Sequence, residues 1–108
     1  MITLEDFEKI DIRVGTILEA KINKKTRVPA YKIKIDFGAI GIKNSSAQIT
    51  DLYEPEDLIG KQIIAVVNLN PIHVGDIKSE VRILGLENKE GVILLYPDKY
   101  AVNGSKMY

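Results

Sequence analysis

Ile10-Asp11-Ile12-Arg13-Val14-Gly15-Thr16-Ile17-Leu18 is the stretch on which the fold turns. Ile10, Ile12 and Val14 alternate with Asp11 and Arg13, the period of two of a strand with one buried face. Gly15 interrupts the pattern, and Ile17 and Leu18 then stand side by side, so the alternation slips. A glycine inside a strand together with such a slip predicts a bulge or a sharp bend. A long first strand bent at its middle can serve two sheets at once, which is how a small Greek-key barrel closes.

The rest of the chain also reads as strands. Tyr31, Ile33, Ile35 and Phe37 alternate with Lys32, Lys34 and Asp36, placing the first set on a core face. Ile63–Val67 and Val92–Leu95 are short apolar runs, predicted as strands covered on both faces. Val81, Ile83 and Gly85 alternate with Glu80, Arg82 and Leu84 as a weaker strand, and Asn88-Lys89-Glu90-Gly91 reads as a turn. Thr3 is placed to cap a short helix over Leu4–Glu8, with Asp6 as the capping-box partner. Thr50–Leu58 reads as one or two helical turns ending at Gly60. It lies between the third and fourth strands, where OB-folds insert a helix. The expectation is an all-β chain, a five-stranded OB-fold Greek-key barrel with short helices and extra terminal segments, filling residues 1–108 as one domain.

Composition bounds what such a barrel can do. The 108 residues are 45% apolar, and a chain of this size buries roughly 60–70% of its unfolded surface. No cysteine is present, so neither disulfides nor thiolate metal sites contribute, which fits a reducing compartment. No run approaches the ~20 apolar residues of a membrane span, and the acidic start Met1–Asp6 lacks the features of a signal peptide. A cytoplasmic protein without membrane insertion is expected. Fifteen basic and fifteen acidic residues balance to zero, which removes any bulk electrostatic argument for nucleic acid. The distribution is uneven, however. Lys21, Lys24, Lys25, Arg27, Lys32 and Lys34 fall in a stretch without an acid, whereas Asp51–Asp57 holds four acids and no base. Two solvated faces account for this, and so does a basic face turned toward phosphate.

Catalytic signatures are missing. There is no phosphate-binding glycine loop of either common pattern. His73 is the single histidine and Asp76 its nearest carboxylate, which is too few ligands for zinc. Ser45, Ser46 and Ser79 lack a nucleophile elbow, and Glu54 and Glu56 sit in a charged turn with nothing to shift them. A binding protein without enzyme activity, cofactor or metal is expected.

Three ordered segments resemble a known family. Asp11-Ile12-Arg13-Val14-Gly15 resembles the first-strand signature of the tRNA-binding domain. That domain occurs at the C-terminus of many methionyl-tRNA synthetases, near the N-terminus of the bacterial phenylalanyl-tRNA synthetase β subunit, and as free-standing small proteins. Leu58-Ile59-Gly60-Lys61-Gln62-Ile63-Ile64-Ala65-Val66-Val67-Asn68-Leu69-Asn70-Pro71 and Gly75-Asp76-Ile77-Lys78-Ser79-Glu80 resemble its second and third motifs. Order and spacing fit from about Asp6 to the end. Arg27-Val28-Pro29-Ala30, Asp36-Phe37-Gly38, Ile42–Thr50 and Pro97–Lys106 are similar to a free-standing, chaperone-like branch of the family. That resemblance implies a cytoplasmic OB-fold homodimer that binds unfolded or precursor polypeptides, linked to protein export and to the secretion ATPase. Ala47-Gln48 after Ser46, and Glu80-Val81-Arg82 after Ser79, depart from the tRNA-binding versions and turn the expectation toward polypeptide, with structure-specific tRNA binding as the alternative.

Candidate contacts follow from these two readings. Apolar loop residues Val28, Pro29, Ala30, Ile72 and Val74 suit an extended peptide, with Arg27, Lys32 and Lys43 favouring an acidic peptide or a carboxylate. For RNA, Lys43, Asn44, Ser45, Ser46, Asn68, Lys78 and Ser79 would meet phosphate and 2′-OH groups, although few aromatics are free to stack and neutral charge implies a shallow salt dependence. Arg13, Gln48 and Arg82 complete the set. Arg13 fits a surface cross-strand pair as well as a ligand contact. Asn68 equally suits closing a turn, and Ser79 capping a backbone. Leu4, Phe7, Tyr96, Tyr100, Val102, Met107 and Tyr108 are more apolar surface than a small barrel buries, and such groups suit a homodimer interface.

Overall fold

The computed structural model describes residues 1–108. Its elements are α1 (Leu4–Glu8), β1 (Ile12–Ile22), β2 (Tyr31–Asp36), β3 (Ile42–Ala47), α2 (Pro55–Leu58), β4 (Gln62–Val66), β5 (Ile72–Val74), β6 (Ile77–Ser79), β7 (Arg82–Ile83), β8 (Gly85–Asn88) and β9 (Gly91–Leu94). Five strands form one antiparallel sheet in the order β3-β2-β1-β4-β7, while β5–β6 and β8–β9 are separate hairpins. With β1 at the centre and α2 between β3 and β4, this is the nearly closed OB-type barrel that the sequence predicts. No helix is long and apolar enough to cross a membrane.

β1 explains the closure. Its first half, Ile12–Thr16, pairs with β4, and its second half, from Thr16 onward, pairs with β2, so the strand changes partner at Thr16. The bulge lies between Ile17 and Glu19, at Leu18, three residues beyond the glycine. Gly15 has another task. A Cβ there would lie 2.6 Å from Ile35 Cγ2 and 2.7 Å from Phe37 Cδ1, so only glycine lets β2 fold over the bend. Ahead of Thr16 the other edge of β1 is covered by the terminal segment: Gly104 N donates to Val14 O, Val14 N to Ser105 O, and Met107 N to Ile12 O. That segment satisfies backbone groups that β2 cannot reach.

The core cluster joins Ile17, Tyr31, Ile33, Ile35, Phe37, Ile49, Leu58, Ile63, Ala65, Val81 and Leu94. The alternating residues of β2 are its centre, as their period requires. Thr3 and Asp6 form the capping box on α1, and Gly60 follows α2 with φ +85°. The buried Tyr31 hydroxyl donates to Tyr53 O at 2.6 Å, and the Tyr53 hydroxyl accepts from Leu94 N at 3.0 Å, tying β9 to the barrel. Burial, followed by the nearby Glu54, Glu56 and Asp57, holds the Tyr31 phenol above its ordinary range.

Three expectations are corrected. Ile10 lies outside the strand and is exposed, because β1 starts only at Ile12. Val92–Leu95 is not a doubly covered strand of the sheet. Its residues 92–94 pair with β8 in a surface hairpin, where Leu94 reaches the core and Ile93 points to solvent. The Val81–Gly85 strand divides into β7 and β8, with Leu84 between them: its N–H donates to Ile64 and its carbonyl accepts from Leu95 N. The bend hands the chain from one neighbour to the other.

Candidate binding groove

The sheet has one weak join. β3 and β7 are its two edges, and the connection between β6 and β7 bridges them with few bonds. Glu80 N donates to Asn44 O at 2.8 Å, and Ser46 N donates to Ser79 Oγ at 2.9 Å. Beyond Ser46 the seam opens into a groove of about 430 Å³. It is lined by Ala47, Gln48 and Ile49 from the end of β3, by Leu69, Asn70 and the β5 residues Ile72 and Val74, and by Arg82, Ile83, Glu87 and Val92. Half of its sixteen lining residues are apolar and none is aromatic. Ile72 and Leu69 are largely exposed, at 62% and 48%, so the walls present apolar surface that nothing in the chain covers.

Four of the residues singled out from sequence, Ser46, Gln48, Ser79 and Arg82, line this groove, as do the apolar loop residues Ile72 and Val74. Ser79 is almost fully buried and already satisfied by Ser46 N, whereas Gln48 and Arg82, with Asn70 and Glu87 beside them in the lining, form no side-chain hydrogen bond within the chain. Lys32 projects from the outer face of β2, opposite Ser46 in register, and pairs with Asp76 at 3.1 Å. The hydrogen bond from Lys32 holds the Asp76 carboxyl below its ordinary value, so the charged pair is present at neutral pH and is lost as the pH falls through that lowered value. Lys43 lies 3.8 Å from Glu80 at the seam, and Asn44 takes part there through its backbone.

The remaining candidates lie elsewhere. Ser45 is wholly buried opposite Ile33, with its hydroxyl donating to Ser46 O. Arg13 Nε lies 2.6 Å from Asp11 Oδ1 and its Nη1 donates to Gly104 O, so it fastens the terminal segment to β1. The Asn68 carboxamide accepts from Asp11 N and donates to Lys9 O, closing the entry to β1. Ala30 is buried, and Val28 is exposed but not part of the groove.

The basic stretch is less free than its composition implies. Lys21 and Lys34 both meet Glu19, and Lys32 meets Asp76. The Lys34 contact, first through its hydrogen bond and then through its charge, depresses the Glu19 carboxyl. Lys24, Lys25 and Arg27, in the loop after β1, and Lys78 on β6 form no ion pair. This loop abuts the β5–β6 hairpin, because the Asn23 Nδ2 donates to Val74 O at 3.0 Å. Asn23 is 3% exposed, and the sequence reading missed it.

Residues 12–106 match the family model described as "Putative tRNA binding domain". Over its whole length the chain is 52% identical to the structure titled as a CsaA chaperone protein from Picrophilus torridus, with a TM-score of 0.95 and all of that chain covered. It is 50% identical to the structure of chaperone CsaA from Bacillus anthracis str. Ames, with a TM-score of 0.93 and 99% of that chain covered. Among curated proteins it is 37% identical, over 92% of its length, to the methionine–tRNA ligase of Methanococcoides burtonii, and 35% identical over 98% to that of Pyrococcus horikoshii. It spans only 14% of the length of either ligase. On a family model that takes in almost every residue of the barrel, from the start of β1 to the segment that covers its free edge, the chain belongs to the tRNA-binding domain family.

Proposed function

We propose that this chain is a chaperone-like binding module, without catalytic activity, that holds extended polypeptide in the groove at the β3 seam. The observation that carries the reading is the lining: eight of its sixteen residues are apolar, Ile72 and Val74 of β5 among them, and none is aromatic. A single-stranded nucleic acid takes its sequence-tolerant affinity from stacking on aromatic rings, which this groove does not offer. An extended peptide needs apolar pockets beside a strand edge, and the groove runs along the end of β3. The whole-chain similarity to proteins titled CsaA chaperones supports the same reading. Titration with fluorescent peptides from unfolded precursor proteins is the test. Binding at tens of micromolar or tighter is expected, and its absence overturns the proposal. Comparing precursor-derived with mature-region peptides shows whether export clients are preferred.

A second reading, tRNA binding, is favoured by the unpaired cations Lys24, Lys25, Arg27 and Lys78 at the hairpin end of the groove, and by the family itself. Four such charges would give a log–log salt slope of roughly −3 to −4 if every one met phosphate. A gel shift with total tRNA at low and high salt separates the readings, since tight, salt-steep binding reverses their order.

We also propose self-association through the terminal segments. Leu4, Tyr96, Tyr100 and Val102 are each more than 70% exposed, and apolar and aromatic surface of this kind suits the core of a homodimer interface. Sedimentation velocity at micromolar concentration is expected to give a dimer, and a monomer contradicts it.

A further inference from the structure

The β5–β6 hairpin forms a wall of the groove but shares no strand ladder with the barrel. At its base it is held by the Ser46–Ser79 and Glu80–Asn44 bonds of the seam. At its tip it is held by one buried side chain and one surface ion pair. Asn23 Nδ2 donates to Val74 O at 3.0 Å, and Lys32 pairs with Asp76. Gly75, with φ +61°, sits so close to the Asn23 carboxamide that a Cβ would lie 2.6 Å from Oδ1; the turn is shaped to receive this side chain. The same carboxamide also shapes the basic loop. Its Oδ1 accepts from Lys25 N at 3.3 Å, while the Asn23 backbone carbonyl accepts from Thr26 Oγ1 and its N–H donates to Ala30 O.

We infer that Asn23 is a positioning residue that latches the β5–β6 hairpin as a movable jaw of the groove, and so sets how long a ligand stays there. This rests on the polypeptide reading of the groove. The two ends of the carboxamide have separable tasks: the donor end fixes the jaw and the acceptor end fixes the loop. Asn23→Asp keeps size and acceptor but removes the donor, placing a carboxylate oxygen against Val74 O. Asp76→Asn breaks only the ion pair, at a side chain that is 33% exposed.

The test combines hydrogen exchange of the ligand-free protein with peptide dissociation kinetics. A hydrogen bond of this kind is worth a factor of roughly 3–10 in a local equilibrium. In Asn23→Asp, amides of residues 72–79 are expected to exchange at least about 3–10-fold faster, since the carboxylate left against Val74 O adds to the lost bond, while those of β1, β2 and β4 hold their rates, as a local opening requires. The peptide off-rate is expected to rise by a similar factor. Asp76→Asn is expected to move both readouts in the same direction by a smaller factor. Unchanged hairpin exchange in Asn23→Asp overturns the latch, and faster exchange with an unchanged off-rate overturns the jaw. Wild-type protein that binds no peptide overturns the groove reading instead, and the exchange measurement, which needs no ligand, tells that failure from the others.

Discussion

Replacing Phe37 by alanine is expected to lower the unfolding free energy by about 3–5 kcal/mol, the usual cost of emptying a fully buried phenylalanine site. The side chain is 0% exposed and belongs to the core cluster with Ile17, Ile33 and Ile35. It also lies over Gly15, where the bend of β1 leaves no room for a Cβ, so the ring fills the inside of the turn on which the barrel closes. Neighbours can collapse into the void only by moving a strand that two sheet partners hold in place, which puts the site toward the upper end of the range. Against a total of roughly 5–15 kcal/mol for a domain, this is a large fraction. Urea denaturation at fixed protein concentration checks it. With m near 1.5 kcal/mol/M the midpoint is expected to fall by about 2 M or more. Lys89→Ala, at an exposed residue of the turn between β8 and β9, is the control and is expected to stay within about 0.5 kcal/mol. A shift below 1 kcal/mol for Phe37→Ala would mean that the ring is not the keystone of the bend.

The bend is the element that reads most directly from sequence, and the reason is local. A strand with one buried face has to alternate, so the slip at Ile17-Leu18 reports a change of geometry within a few residues. What it does not report is which residue bulges. Gly15 attracts the assignment, yet its lack of a side chain serves contact with Ile35 and Phe37, and Leu18 carries the extra residue. Val92–Leu95 fails for the opposite reason. A continuous apolar run shows that a segment is attractive to a core and says nothing about the neighbour it finds, so Ile93 at the surface is invisible to it. The groove is harder still. Ser46, Gln48, Ser79 and Arg82 are legible as polar groups near family motifs, whereas Leu69, Ile83 and Val92 come from separate segments and become a wall only when β3 and β7 fail to close. Asn23 reads as a turn residue in a basic loop, and its partner Val74 lies 51 positions away. No local pattern carries that contact.

Ile72→Asp is expected to weaken peptide binding by roughly tenfold or more while leaving the fold intact. Ile72 is the most exposed apolar side chain of the groove, at 62%, and lies opposite Ser79 in the hairpin. Full burial of an isoleucine side chain contributes about 1.5–3 kcal/mol. A ligand covering the exposed part gains about half of that or more, and an aspartate there forfeits the gain and adds the cost of desolvating a charge. Together these come to at least 1.4 kcal/mol or so, which is a factor of about ten in Kd. Stability is expected to move little, because a substitution at so exposed a site removes little buried contact. The direction of the effect discriminates between ligands. A new carboxylate in the groove should weaken an RNA only through repulsion of its phosphates, an effect that fades as salt screens it. For a peptide seated by apolar contact, the loss is expected to persist at 0.5 M salt. Isothermal titration of wild type and Ile72→Asp at two salt concentrations, with thermal unfolding alongside, reads both. If Ile72→Asp binds peptide as wild type does, the groove is not the seat of the polypeptide. If its loss of affinity disappears at high salt, charge rather than apolar contact governs the site.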